Sequence, residues 1–254
     1  MDSVRQGEEK TGKMKKDDVS WKGKMIISLI VLLLIPISYA QLQPNAPDTM
    51  TNITSQSPSA EAGYAMTTAG GTITTVNINA TTQNPHWKAY VGNISGKLAL
   101  QDGSSNAVYD WNITSTEGEI YATRKSTIVE WNSITCANTA QIQSEETSLN
   151  MTTSSEDSIA NTFNKKQHAG FYAGLTQVTQ NTCNSTNLYV NSAESNDFEE
   201  VLLYDGSYMV YVALVENSII GFDGNIYDFQ MIVPDSGLEG SQTPVTYYFY
   251  VELV

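Results

Sequence analysis

The residues in this chain best suited to chemistry are oxygen donors beside glycines. "YDGS" puts Asp205 in an Asp-Gly turn, and "GFDGNIYD" gathers Asp223, Asn225 and Asp228 in one short loop. Ca2+ takes carboxylate and amide oxygens from flexible loops, so Asp223, Asn225 and Asp228 are the candidate metal ligands. Their spacing matches no full EF-hand loop, and Asp-Gly is also ordinary hairpin-turn chemistry.

Other reactive side chains are sparse. Only two histidines occur, His86 and His168. His168, in "NKKQHAG", could act as a base, but no nucleophile is placed near it by the sequence. The expectation is a surface histidine beside two lysines. Asp197, Glu199 and Glu200 suggest a carboxylate pair of the glycosidase kind. Adjacent residues on a strand point to opposite faces, which works against it. No GxSxG, HExxH, Walker loop or dinucleotide fingerprint is present. No catalytic residue and no organic cofactor is assigned, and the chain is expected not to be an enzyme.

The two cysteines, Cys136 and Cys183, form an even pair. In an exported chain such a pair reads as a disulfide. A metal site is the weaker reading, because the histidines stand in no ligand spacing with them. Acceptor triplets for N-glycosylation occur at Asn52, Asn79, Asn93, Asn112, Asn150 and Asn184. Asn79 alternates with Val76 and Ile78, and Asn112 with Trp111 and Ile113, so both are expected to face outward from strands.

Composition sets limits on partners. The chain has 254 residues, 13 Lys plus Arg against 27 Asp plus Glu, and a net charge of -14. Seven of the basic residues lie before position 40, so the remainder is more acidic still. An acidic body repels phosphate backbones, which excludes nucleic acid as an expected partner.

The address lies at the N-terminus. "MIISLIVLLLIPIS" follows a basic stretch and precedes Ser38 and Ala40, small residues at the positions read by a signal peptidase. Residues 1–40 are therefore expected to be a signal peptide cut after Ala40, with Met14 a possible alternative start. The apolar run is short for a span, which needs about 20 residues. An uncleaved anchor facing outward is the alternative, and membrane contact is expected through this segment alone. A prepilin-type leader cut after Gly23 is disfavoured, because Pro36, Pro44 and Pro47 forbid the long helix it requires.

These residues must be positioned by a mostly β body. Residues 41–69, rich in Pro, Ser, Thr and Asn, predict a flexible lead-in. From residue 70 onward short β-branched and aromatic runs recur between turn residues. They are "GGTITTVNINATTQ", "HWKAYVG", "GKLALQD", "NAVYDWNIT", "GEIYATR", "STIVEWNSIT", "NLYVNS", "EEVLLYD", "SYMVYVALVEN", "NIYDFQMIVP" and "VTYYFYVELV". "QDGSSN" predicts a hairpin turn with Gly103 at positive φ. In "HWKAYVG", Trp87, Ala89 and Val91 form one phase and Lys88 and Tyr90 the other. In "YMVYVALV" and "YYFYVELV" both phases are apolar, so these strands are expected to be buried on both faces or covered by another molecule. From residue 137 to about 166 the period shifts to helix, with Ser154 or Ser155 as a cap, Ile159 and Phe163 on one face, and Lys165 and Lys166 at the far end. The expectation is an all-β fold: one β-sandwich over 70–254, immunoglobulin-like or jelly-roll-like, with a short helical insertion.

Two stretches carry a resemblance: "WKAYVGNISGKLALQDGSSNAVYDWNITSTEGEIYATR…WNSITCAN" and "GFDGNIYDFQMIVPDSG…YYFYVELV". Together they resemble a group of uncharacterised exported proteins of archaeal genomes, especially small-genome lineages. The resemblance covers about residues 70–254. It implies export and a β body, and it brings no activity and no functional residues.

The function expected from these readings is that of an exported cell-surface structural or interaction protein. It would be a subunit of an envelope layer, fibre or adhesive coat, with copies of itself or other envelope proteins as partners. The alternative is an extracellular carbohydrate- or ligand-binding module, for which Trp87, Trp111 and Trp131 are the candidate platforms. Their strand phases point to the core instead. A secreted hydrolase ranks last.

Overall fold

The computed structural model describes residues 43–236 and 244–254. The signal peptide or anchor of 1–40, and the cut after Ala40, lie outside the described residues. The chain is mostly β, built from several sheets with a small helical part. Its strands are β1 (Trp87–Gly92), β2 (Lys97–Gln101), β3 (Ala107–Asn112), β4 (Gly118–Thr123), β5 (Thr135–Cys136), β6 (Phe171–Ala173) and β7 (Thr176–Val178). They continue with β8 (Ser185–Val190), β9 (Ala193–Tyr204), β10 (Met209–Leu214), β11 (Ile219–Ile220), β12 (Ile226–Tyr227), β13 (Phe229–Pro234) and β14 (Tyr248–Leu253). Two helices, α1 (Thr139–Ser148) and α2 (Ile159–Thr162), lie between β5 and β6.

A six-stranded sheet ordered β14-β4-β10-β9-β5, with β8 also on β9, forms the centre. All six residues of β10 are buried, as the two apolar phases of "MVYVAL" require. One phase (Met209, Tyr211, Ala213) joins Ile120, Ala122 and Leu202 in a core closed by Ile142 of α1, Ile159 of α2, and Met231 and Val233 of β13. The other phase (Val210, Val212, Leu214) joins Tyr121, Val201 and Leu203 under Trp131, Phe171 and Val178. Each fully buried side chain of this size stabilises the fold by roughly 1.5–3 kcal/mol, so the strand buried on both faces anchors both cores.

The helical insertion forms where expected. α1 opens on a capping box: Asn138 Oδ1 accepts from the Gln141 N–H at 3.0 Å, and Gln141 Oε1 from the Asn138 N–H at 2.8 Å. α2 is a single turn capped by Ser158, not by Ser154 or Ser155. Ile159 and Phe163 are both fully buried, as their shared face predicts. Lys165 lies beyond the helix, bridged to Ser185 and paired with Glu194 at 2.6 Å.

The disulfide Cys136–Cys183 is formed, with Cα atoms 4.9 Å apart and a sequence separation of 47. It closes a loop that contains both helices and the β6–β7 hairpin. In the chain-entropy account a loop of this length contributes about 4 kcal/mol. Replacing both cysteines by serine should lower the urea-unfolding free energy by about that amount. An unchanged midpoint would show that the bond adds nothing.

Several elements depart from the sequence reading. "TTVNINATT" forms no strand: Ile73, Val76 and Ile78 are 100%, 45% and 86% exposed and unpaired. Alternation alone did not suffice where no neighbour strand was supplied. "STIVEWNSIT" becomes a loop, a 3-10 turn at Trp131–Ser133 and the two residues of β5, because Val129, Trp131 and Ile134 dip together into the second core. In β1 the inward phase is Lys88 and Tyr90, while Ala89 and Val91 face solvent. Tyr90 packs edge-on against Phe249, centroids 4.9 Å apart. The β2–β3 turn takes positive φ at Ser105, not at Gly103. The β6–β7 hairpin was not anticipated, although Gly174 at its first turn position carries the positive φ that such a turn needs.

β14 is an end strand of the sheet and not one buried on both faces, which leaves the other expectation, cover by another molecule, open. It ends the central sheet, pairing on one side with β4. On its outer side Asn45 exchanges two backbone hydrogen bonds with Val251, at 3.0 and 2.8 Å. Pro44 and Pro47 flank Asn45 and cannot donate, so this stretch of lead-in blunts the edge rather than extending the ladder.

Candidate functional site

The oxygen donors singled out for Ca2+ are engaged with the chain itself. Asp223 accepts from the Asn225 N–H at 3.0 Å, the Asn225 amide at 2.7 Å and the Tyr227 hydroxyl at 3.1 Å. Asp228 turns away, accepting from the Ile94 N–H at 2.7 Å and the Ser218 N–H at 3.0 Å. Its carboxylate ties β1's exit to the loop after β10. The structure therefore joins Asp223 to Asn225 but not to Asp228. Among the described residues, no three His, Cys, Asp or Glu side chains gather to hold a metal.

Asp205 is buried beside Lys125, Nζ to Oδ2 2.7 Å, and also accepts from the N–H groups of Ser207 and Tyr208. Burial works to raise its carboxyl, but Lys125 and these donors outweigh it and hold it below the usual range. Asp205→Ala would leave the Lys125 ammonium buried and unpaired. The expected loss is about 3 kcal/mol of stability by urea unfolding, and a change within about 0.5 kcal/mol, as for an ordinary surface site, would contradict it.

The histidines are structural in placement. His168 is 1% exposed, contrary to the surface position expected. Its Nε2 accepts from the N–H groups of Thr182 and Cys183 at 3.2 and 3.1 Å, and its Nδ1 lies 2.7 Å from the Ala169 carbonyl. It orders the approach to the disulfide. His86 Nδ1 lies 2.6 Å from Asp157, whose carboxyl is held at about 2 chiefly by that hydrogen bond.

Glu199 and Glu200 separate to opposite faces, as expected for strand neighbours. Glu199 accepts from the Ala169 N–H at 2.6 Å. Glu200 is fully buried in the first core, with one oxygen on the Ile232 N–H at 2.9 Å and the other without a hydrogen-bond partner. Burial raises its carboxyl well above the ordinary value.

A different carboxylate pair emerges from the register. Glu119 of β4 lies directly opposite Glu252 of β14, and both are buried. Glu252 accepts from the Tyr121 hydroxyl at 3.0 Å and the Gly174 N–H at 2.9 Å. Burial, then the charge of Glu252, pushes Glu119 up to about 8. No spacing within the sequence could reveal this pair, because its members are brought together by strand pairing alone. Two depressions open on the surface, one beside α1 (Asn138, Gln141, Glu145, Tyr204) and one near Ile94, Asn112 and Asp228. Neither is lined by Glu119 or Glu252; Glu252 joins β14 to β4 and to the tip of the β6–β7 hairpin through Tyr121 and Gly174.

The surface holds the less ordinary feature. β2 and β3 form a two-stranded ribbon in which every residue is exposed. The register places Leu98 opposite Trp111 and Leu100 opposite Tyr109, so these four share one face. They are 45%, 51%, 59% and 61% exposed, respectively. Tyr109 and Trp111 meet edge-on, centroids 5.0 Å apart. Lys97 and Asp110 form an ion pair on the other face, which leaves the apolar face uncharged. Trp111 thus stands in solvent, against the expectation of a core position. Trp131 is buried, and Trp87 is half-buried with its Nε1 donating to the Asp157 carbonyl at 2.8 Å. The sequon residues Asn52, Asn79, Asn93, Asn112 and Asn150 are exposed, and Asn184 is half-buried.

No family model, curated protein or solved structure matches this chain. Among the described residues, no helix is long and apolar enough to cross a membrane.

Proposed function

We propose that this chain is an exported cell-surface structural or interaction protein, a β-sandwich-like subunit of an envelope layer, fibre or coat. The observation that carries the reading is the β2–β3 ribbon, whose uncharged apolar face projects from a strongly acidic body. A soluble protein gains nothing by leaving two aromatics and two leucines in water, so such a face is meant to be covered. The disulfide fits an oxidising compartment outside the cytoplasm. Its partners are copies of itself or other envelope proteins, with membrane contact through the N-terminal segment if that is retained.

The compartment is tested on intact producing cells. A membrane-impermeant amine label should reach Lys97, and mass spectrometry of the native N-terminus should find most copies beginning at Gln41. A peptide spanning Tyr39 to Gln43 in the bulk protein would favour the anchor. Labelling only after lysis would overturn the surface assignment.

A second reading has one observation in its favour. Tyr109 and Trp111 present exposed rings of the kind that stack on sugars. An extracellular carbohydrate-binding module would then use this ribbon as its platform. Binding of a soluble glycan that is lost in Trp111→Ala, by a protein that stays monomeric, would favour it.

A further inference from the structure

Resting on the assembly reading, we propose that residues 72–80 of one copy add as a strand to the β2–β3 ribbon of the next, joining copies head to tail.

The segment and the ribbon have complementary needs. Thr72–Ala80 has a strand's alternation, yet its backbone is in no ladder and Ile73, Val76 and Ile78 stand exposed. It is the second limb of an arm that folds back at Gly70 and Gly71, where Gly71 takes positive φ and Thr68 bonds Thr72 and Thr74 at 2.9 and 3.0 Å. Among the described residues, the ribbon is a pair of strands with no third neighbour, five and six residues long, with an exposed apolar face. An extended segment laid on a sheet edge satisfies the backbone of both and buries alternate side chains. Seven to nine residues of arm suffice for a ribbon of this length.

Charge selects the same place. Copies of a chain with net charge -14 repel one another. Residues 62–87 carry no Asp, Glu, Lys or Arg, and the apolar face of the ribbon carries none either. These are surfaces on which two acidic bodies can meet without opposing charges.

Within one copy the arm and the ribbon stand apart. The arm enters the body at Asn84 and His86, both bonded to Asp157, at the start of β1. The ribbon leaves beyond Gly92, at the other end of that strand. Among the described residues, no backbone hydrogen bond joins residues 72–80 to residues 97–112 of the same chain. Val76 and Ile78 therefore stay available, exposed, to the ribbon of another copy. Donor and acceptor are different surfaces of the chain, so the contact is heterologous, and where it does not close it generates an open chain of subunits.

Two single variants test this in the chain recovered after export, by sedimentation over a range of concentrations. Ile78→Lys alters the arm and Leu100→Lys the ribbon. Both positions are exposed, so melting should match the wild type. The wild type should form multimers that grow with concentration, and each variant alone should remain monomeric. Mixed together they should give a one-to-one dimer that does not extend, because one good arm meets one good ribbon. If both variants assemble like the wild type, the arm-to-ribbon contact is wrong while the assembly reading stands. A wild type that stays monomeric at every concentration overturns both, including the case in which Leu100→Lys abolishes binding to vesicles or glycans instead.

Discussion

A chain lacking Thr246–Val254 should fail to melt cooperatively. The strand removed is at the end of the sheet, yet it supplies much of both cores. Tyr247 is 8% exposed, and its hydroxyl donates to the Pro234 carbonyl at 2.9 Å. Phe249 and Val251 pack into the first core, and Tyr250 packs edge-on to Trp131 in the second, centroids 5.4 Å apart. Glu252 holds Tyr121 and the tip of the β6–β7 hairpin. Several such side chains at roughly 1.5–3 kcal/mol each approach the whole stability of a domain, about 5–15 kcal/mol. Tyr248 points outward and is 41% exposed, so Tyr248→Ala should cost no more than about 0.5 kcal/mol. Near-ultraviolet circular dichroism with thermal melting compares the two. A soluble truncated monomer with native-like melting would contradict the account and recast β14 as a strand used between subunits.

Raising the pH from 5 to 8 should weaken the fold, and Glu119→Gln should remove a large part of that weakening. Burial first, and Glu252 second, lift the Glu119 carboxyl from an ordinary 4.5 to about 8. Between those values the native chain holds a proton that the unfolded chain has released. The unfolded state therefore binds fewer protons, and stability falls as pH rises. The favourable contribution is complete below about 4.5 and gone above about 8. A shift of this size corresponds to roughly 4–5 kcal/mol across the window. Glu200 and Glu216 are raised as well and add slope of the same sign. Glutamine at 119 keeps the shape, cannot ionise beside Glu252, and should be the more stable protein at pH 8. Urea unfolding at several pH values measures both slopes. Parallel curves for the two proteins would show that Glu119 ionises freely in the fold.

What the sequence disclosed follows from how local each feature is. "MVYVAL" has two apolar phases, and β10 is buried on both faces for that reason. Ile159 and Phe163 share a helical face and are buried together. The cysteine pair closed as an even pair in an otherwise thiol-free chain should. Features that depend on distant neighbours were not legible. The alternation in "TTVNINATT" matched a strand, but no partner strand lies beside it. The phase of β1 was inverted, because Lys88 snorkels past Tyr247 to Asp235 and the Val245 carbonyl, which lets an inward position carry a charge. Alternation predicts Trp111 in the core, yet every residue of its hairpin is exposed. The candidate cation ligands share one short loop in the sequence, whereas the fold aims Asp228 at the Ile94 and Ser218 N–H groups and away from Asp223. The Glu119–Glu252 pairing exists only through register.

Sedimentation and electron microscopy of the wild-type chain, recovered after export without detergent or denaturant, address the central claim most directly. An assembling surface subunit predicts a concentration-dependent series of multimers, visible as ordered layers or filaments, that dissociates when the apolar ribbon is charged. A monodisperse monomer at every concentration would contradict it.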